Sequence, residues 1–329
     1  MNRMKRPLRL LGIGTMLLAL SACTSGTDVS ASQMSTEREL VLVQGPDATS
    51  QALGHAYRGI LSDAGIEARL AEPAEDPVAA VLAGEADVTV AGSSRLLGTL
   101  SKLPGARDGT GLTESSAPEA TTGDGANPVA SRNLDTAQTT RTLHDLRLSG
   151  FAVLDTAEAE RTGTLVVTAA TSAADQLVSI SDLGPLCPKL DFGISRTMLV
   201  QLSKELDTGL SCQPRGVIEL SDQKSAGVLP VISDEVQVQA SSLSNAGIPD
   251  NALVVLQGAS TLFTPEAMTP LITTDGVGQD AVKAINKLSG ALKQEDLLQL
   301  NRLVNGRDAL TPQRAASDWL IDKALIKAP

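Results

Sequence analysis

Between Glu39 and Gly92 the chain alternates short apolar runs with helix-patterned stretches, and this alternation restricts the fold more than any other feature. "ELVLVQ" (Glu39–Gln44) has strand length, and the turn "GPDAT" follows it. Thr49 or Ser50 can cap a helix running to about Ala64, which Gly65 stops. "IEARLA" (Ile66–Ala71) reads as a second strand. "DPVAAVLAG" reads as a helix with Asp76 as its cap, Pro77 in the first position and Gly84 at the stop. "ADVTVAG" (Ala86–Gly92) is the third strand. A β-α-β-α-β order predicts an α/β fold with mostly parallel sheets flanked by helices.

The pattern resumes after residues 104–134, a Gly, Pro, Ser, Thr and Ala-rich stretch with almost nothing apolar to bury, expected to be a mobile surface insertion. A helix near Thr136–Leu148 precedes strand-like "FAVLD" (Phe151–Asp155), "TLVVTA" (Thr164–Ala169) and "DFGIS" (Asp191–Ser195). A further helix opens at about Arg196, "AGVLPVIS" and "ALVVLQ" (Ala252–Gln257) read as strand material, and the tail is helical. This much chain can bury two cores. With aromatics at 2%, those cores are built of Leu, Val, Ile and Ala. Trp319 reads as a helix-to-body packing residue, the alternative being a ligand platform.

The start of the chain reads as an address. Arg3, Lys5, Arg6 and Arg9 form a basic region, Leu10–Leu20 is an apolar run too short to span a bilayer, and "LSAC" ends at Cys23. The reading is a signal peptide over 1–22 and a bacterial lipoprotein box, with Cys23 alkylated by diacylglycerol; the alternative is an ordinary secretory signal with a chance cysteine. Residues 23–36 are then a lipidated, flexible tether. Of 27 basic residues, four leave with the signal, so 23 face 38 acids and the mature charge is −15. Such a surface repels nucleic acid and anionic head groups, so membrane attachment must come from the acyl chains. The protein is expected on the extracytoplasmic face of the cell membrane.

Removing Cys23 leaves Cys187 and Cys212, which suggests one disulfide in an exported chain; two buried thiols are the alternative. With no CxxC and only His55 and His144, no metal site and no cofactor is expected. No nucleophile–base pair can be nominated either, which argues against an enzyme.

Open α/β sheets bind ligands at the carboxyl ends of their strands. Gln44, Gly45 and Asp47 after the first strand, and Ser93, Ser94 and Arg95 after the third, are therefore expected to face a crevice. Ser195 and Arg196 combine a helix start with a cation and suit a carboxylate or another anion. A plain βα turn is the alternative at each.

Four segments resemble the substrate-binding proteins of glycine betaine, choline and osmoprotectant ABC importers: "LAGEADVTVA", "VSISDLGPLCPKLDFG", "ALVVLQGASTLFTPEAMTPLIT", and "AVKAINKLSGALKQEDLLQLN" continuing to "TPQRAASDWLIDKALI". The resemblance implies a two-lobed, type 2 periplasmic-binding-protein-like fold with two inter-lobe crossings. One lobe would be 37–157 plus 260–329, and the other 158–259. Such receptors close on a small polar solute and deliver it to an ABC permease; they do no chemistry. Ser233 and Asp234 match the family's "TTDP" turn and are second-lobe contact candidates, although Asp234 could equally cap a turn.

Two departures bear on the solute. Where the family carries a tyrosine, an acid, another tyrosine and "TGT", this chain has Thr89 to Arg95; where it carries Asn and an aromatic, this chain has Glu160, Arg161, Thr162, Gly163 and Thr164. Thr162 and Thr164 join the candidate ligand contacts. Cation–π capture of a quaternary ammonium needs several ring faces within about 6 Å. The five aromatics, Tyr57, Phe151, Phe192, Phe263 and Trp319, are scattered. A betaine cage is therefore not expected, and Ser93, Ser94 and Arg95 suit hydroxyl or anionic groups. An envelope interaction or sensing module on the same fold is the alternative function.

Overall fold

The computed structural model describes residues 38–104, 106, 135–196, 198–199, 202, 206, 210–221, 227–259, 262–264, 266–307 and 309–327. The expected signal peptide (1–22), the expected tether with Cys23 (23–36) and nearly all of the expected 104–134 insertion lie outside these residues. Among the described residues no helix is long and apolar enough to cross a membrane.

Two five-stranded sheets carry the chain. The first contains β1 (Leu40–Leu42), β2 (Ala68–Leu70), β3 (Val88–Gly92), β4 (Phe151–Val153) and β10 (Met268–Thr273), in the order β2-β1-β3-β10-β4. The second contains β5 (Gly163–Val167), β6 (Asp191–Ser195), β7 (Gly216–Leu220), β8 (Val238–Ser242) and β9 (Val254–Val255), in the order β7-β6-β8-β5-β9. Both follow one plan. β1 pairs in parallel with β2 and β3, and β6 with β7 and β8. One antiparallel strand sits off-centre in each sheet: β10 between β3 and β4, and β5 between β8 and β9. Each is the landing point of a crossing, residues 154–162 into β5 and 256–267 into β10. A segment that enters a sheet at the carboxyl ends of its parallel strands must run the other way, which is why neither sheet is wholly parallel.

Local chemistry accounts for most elements. Helix α1 (Ala48–Asp63) is capped by Asp47, whose carboxylate accepts the Ser50 amide at 2.9 Å, so the cap precedes the expected Thr49 or Ser50. Ala52, Leu53, Ala56, Tyr57, Ile60 and Leu61 recur at helical spacing and are buried against the C-terminal helices Gln279–Ala291, Gln294–Asn305 and Pro312–Asp322. Burying each large apolar side chain contributes about 1.5–3 kcal/mol. Trp319 is fully buried there, donating its indole N–H to Asp296 at 3.1 Å. Asp296 is itself buried and also accepts the Lys293 amide at 2.8 Å and the Lys323 ammonium at 2.6 Å. This carboxylate knots the last two tail helices together.

Asp87, from "GEADV", plays a similar part at the amino end of β3. It accepts Arg38 at 2.6 and 3.2 Å and the Val41 amide at 2.8 Å, holding strand ends together away from the crossings. Cys187 and Cys212 are joined in a disulfide inside the second-lobe core.

Two strand readings change. "AGVLPVIS" contains the helical turn Leu229–Ile232, because Pro230 has no N–H for a ladder and its fixed φ suits a first helical turn; β8 begins only at Val238. "GVIEL", not singled out as a strand, forms β7, an edge strand whose three central residues are exposed and so lack a buried-face pattern.

Candidate functional site

The crossings meet the first lobe where β1 and β3 end. Ser93 donates its amide to the Ala267 carbonyl at 2.9 Å, and its hydroxyl accepts the Ala267 amide at 3.2 Å. The Arg161 amide donates to the Glu266 carbonyl at 2.8 Å, tying the two crossings together. Phe263 lies against Gly163, where any Cβ would strike its ring.

Two carboxylates of the chain occupy the helix starts here. Asp47, at the start of α1, forms a paired contact with Arg161 of the first crossing, at 3.0 and 3.3 Å. Burial alone would raise the Asp47 carboxyl, but the Arg161 guanidinium and then Ser50 outweigh it and hold it to about 2. Glu266, from the second crossing, accepts the Ser94 amide at 2.9 Å and the Arg95 amide at 3.2 Å, which are the first-turn donors of α3 (Ser93–Leu100). Burial pushes the Glu266 carboxyl up to about 7, against the pull of those two amides and of the Arg95 charge. A Cβ at Gly92 would fall on the Glu266 carboxylate, so glycine there makes the seat possible.

The expected residues divide accordingly. Gln44, Gly45, Asp47, Ser93 and Ser94 lie together at the strand ends beside the crossings. Gln44 is buried, donates to the Ala71 carbonyl at 3.1 Å, and has no protein partner for its Oε1. Arg95 turns its side chain onto Asp76 at 3.2 Å, at the start of the helix Pro77–Leu82. Thr162 bonds Glu160 at 3.0 Å and its carbonyl accepts the Leu243 amide. Thr164 is buried in β5, its hydroxyl without a protein partner.

Ser195 is buried at the carboxyl end of β6, whereas Arg196 extends outward to Glu219 of β7 at 2.8 Å, towards the sheet edge farthest from the crossings. Ser233 and Asp234 lie before β8, at its amino end. Because β6 and β8 run parallel, that is the opposite end of the sheet from Ser195, so the structure does not bring this pair to Ser195. Asp234, at φ 59°, accepts Gln237 at 3.0 Å within its own turn.

Three residues that bridge the lobes were not anticipated. Asn301 accepts the Ala246 amide at 2.9 Å and donates to Thr49 at 3.1 Å, so one amide side chain touches both lobes. Arg302 pairs with Asp250 at 2.9 and 3.1 Å.

Two hollows adjoin this region. One of about 20 Å³, lined by Gln44, Ser50, Gly54, Tyr57, Thr89 and Met268 among others, is the size of a water molecule. Small-molecule pockets run to roughly 300–1,000 Å³. A recess of about 660 Å³ is lined by Thr156, Glu158 and Glu160 of the first crossing and Ala267 of the second, with Arg141 and Lys293 among others. Among the described residues no group of three His, Cys, Asp or Glu side chains could hold a metal ion.

No protein-family model matches the chain, and no curated protein matches it. Solved structures do. The chain is similar to a glycine betaine/carnitine/choline ABC transporter protein, with TM-score 0.64 and 16% identity over 87% of this chain and 99% of that one. It is similar to lactococcal OpuAC in a closed, liganded conformation with glycine betaine, at 0.56 and 13%, over 87% and 96%. The glycine betaine/L-proline-binding protein ProX of Borrelia burgdorferi gives 0.55 and 12%, over 87% and 93%. The fold is that of the two-lobed solute-binding proteins. Within this two-lobed fold, neither Glu266 nor Asn301 had a local signal of its bridging contacts. Each sits in an ordinary context, "TPEAM" or "LQLNRL", and meets its partners across more than fifty residues. Arg161 was visible only as a departure from the resembled pattern.

Proposed function

We propose that the chain is a lipid-anchored, extracytoplasmic solute-binding protein of an ABC importer of osmoprotectant type, capturing a small polar solute between its lobes. The lobes are 37–157 with 260–329, and 158–259, anchored through Cys23. The observation that carries this reading is the convergence of β1, β3 and both crossings on one polar junction, where the buried Gln44 keeps a side-chain oxygen that bonds no protein group. The anionic solute first expected from Ser93, Ser94 and Arg95 loses its support, since their amides and the guanidinium are committed within the chain.

A second reading, an envelope interaction module without transport, draws on the direct bridging of the lobes by Asn301 and by Arg302 with Asp250. Thermal unfolding of purified residues 38–329 against betaines, choline, carnitine, amino acids and polyols separates the two. At 100 times Kd a true solute adds about 2.7 kcal/mol of stability. A flat response across the whole panel would favour the interaction module.

A further inference from the structure

We infer that Glu266 is a resident carboxylate filling the anion-accepting corner of the first lobe, so that the cleft takes polar solutes lacking a carboxylate. This rests on the solute-capture reading and narrows its solute class.

The corner is built for one carboxylate. Two first-turn amides of α3 point at Glu266 Oε2, and Gly92 leaves the space in which the carboxylate lies. The donor that an incoming carboxylate could otherwise use in this lobe, the start of α1, is capped by Asp47. The nearby guanidinium groups are committed as well: Arg161 to Asp47, and Arg95 to Asp76. A solute carboxylate would therefore be desolvated beside Glu160 and Asp47 with the first-turn donors already taken by Glu266, and like charges sharing one site repel. A hydroxylated neutral or cationic solute meets the reverse situation, since the Glu160 and Asp47 carboxylates can accept a hydrogen bond from its hydroxyl.

Choline and glycine betaine are the probes, since both carry a trimethylammonium group but only the latter carries a carboxylate. Isothermal titration of the wild-type protein is expected to show at least tenfold tighter binding of choline. Glu266→Ala is expected to gain at least tenfold for glycine betaine with choline affinity held within threefold, and Glu266→Gln, which keeps the corner filled, to gain nothing. Wild-type protein that binds glycine betaine as tightly as choline overturns the inference. If neither probe binds, acetate decides the corner alone, and the wider solute panel decides the solute-capture reading. Tens of millimolar acetate should raise the melting temperature of Glu266→Ala but not of the wild type at equal ionic strength; equal responses of the two proteins overturn the assignment. Should Glu266→Ala not fold, the wild-type choline-to-betaine ratio still decides.

Discussion

Asp47 and Arg161 face each other through two parallel contacts of 3.0 and 3.3 Å, one residue from the cap of α1 and the other from the first crossing. The pair fastens the first crossing to the first lobe, so it acts on the segment that any movement between lobes must bend. It also gives the crossing a defined response to acid.

With the folded carboxyl near 2 and an ordinary value of 3.8, the Asp47 contribution is fully present above about pH 4 and lost as pH falls towards 2. The pair is part-exposed, which discounts the shift to about 1 kcal/mol. Asp47→Asn is expected to lower stability by that amount at pH 7 and to flatten the stability curve between pH 4 and 2, measured by urea unfolding at each pH. A variant curve parallel to the wild type would show that the pair contributes nothing.

Glu266 predicts the opposite slope. Its folded carboxyl, near 7, holds a proton that the unfolded chain releases near 4.5, so stability is greatest below about pH 4.5, falls as pH rises to 7, and then levels. Glu266→Gln should remove this decline and leave a protein more stable than wild type at pH 8. Guanidinium titrations at pH 5, 6, 7 and 8 read it directly.

The Cys187–Cys212 disulfide closes a loop with a sequence separation of 25 within an apolar core. Reduction is expected to cost about 3 kcal/mol of unfolding free energy. Denaturation with and without reductant measures it, and Cys187→Ala with Cys212→Ala in the same chain should behave like the reduced protein.

Two paired carboxylates should differ in effect. Arg302 and Asp250 are each nearly half exposed, and removing both is expected to change stability by less than about 1 kcal/mol. Asp296 is fully buried beneath Trp319, and Asp296→Ala should cost about 1–3 kcal/mol by leaving the buried indole N–H without its acceptor. Scattering should nonetheless detect the Arg302 and Asp250 double variant, through a larger radius of gyration as the lobes separate. An unchanged radius would show that this contact does not hold the lobes together.

Much of the architecture was legible because strand and helix periodicity is local. "ELVLVQ", "ADVTVAG" and "DFGIS" became β1, β3 and β6, and Asp76 with Pro77 opened a helix as their chemistry requires. Reading failed where local signals were mixed. Pro230 interrupted an apolar run that became a helical turn, and β7 showed too much exposed surface to announce a strand. Trp319 was correctly placed as packing, since its helix carried the matching apolar spacing.

From the sequence alone came the alternation that predicts an α/β fold, the resemblance that implies two lobes, the cysteine pair available for a bridge, and the scarcity of rings that argues against an aromatic cage. Tertiary structure alone decided which groups fill the junction. Glu266 reaches Ser94 across 172 residues, and Asn301 reaches Thr49 across 252. Periodicity records which face of an element is buried within a few turns of chain. The partner of a carboxylate depends on where an antiparallel strand enters a sheet, and no stretch of neighbouring residues encodes that.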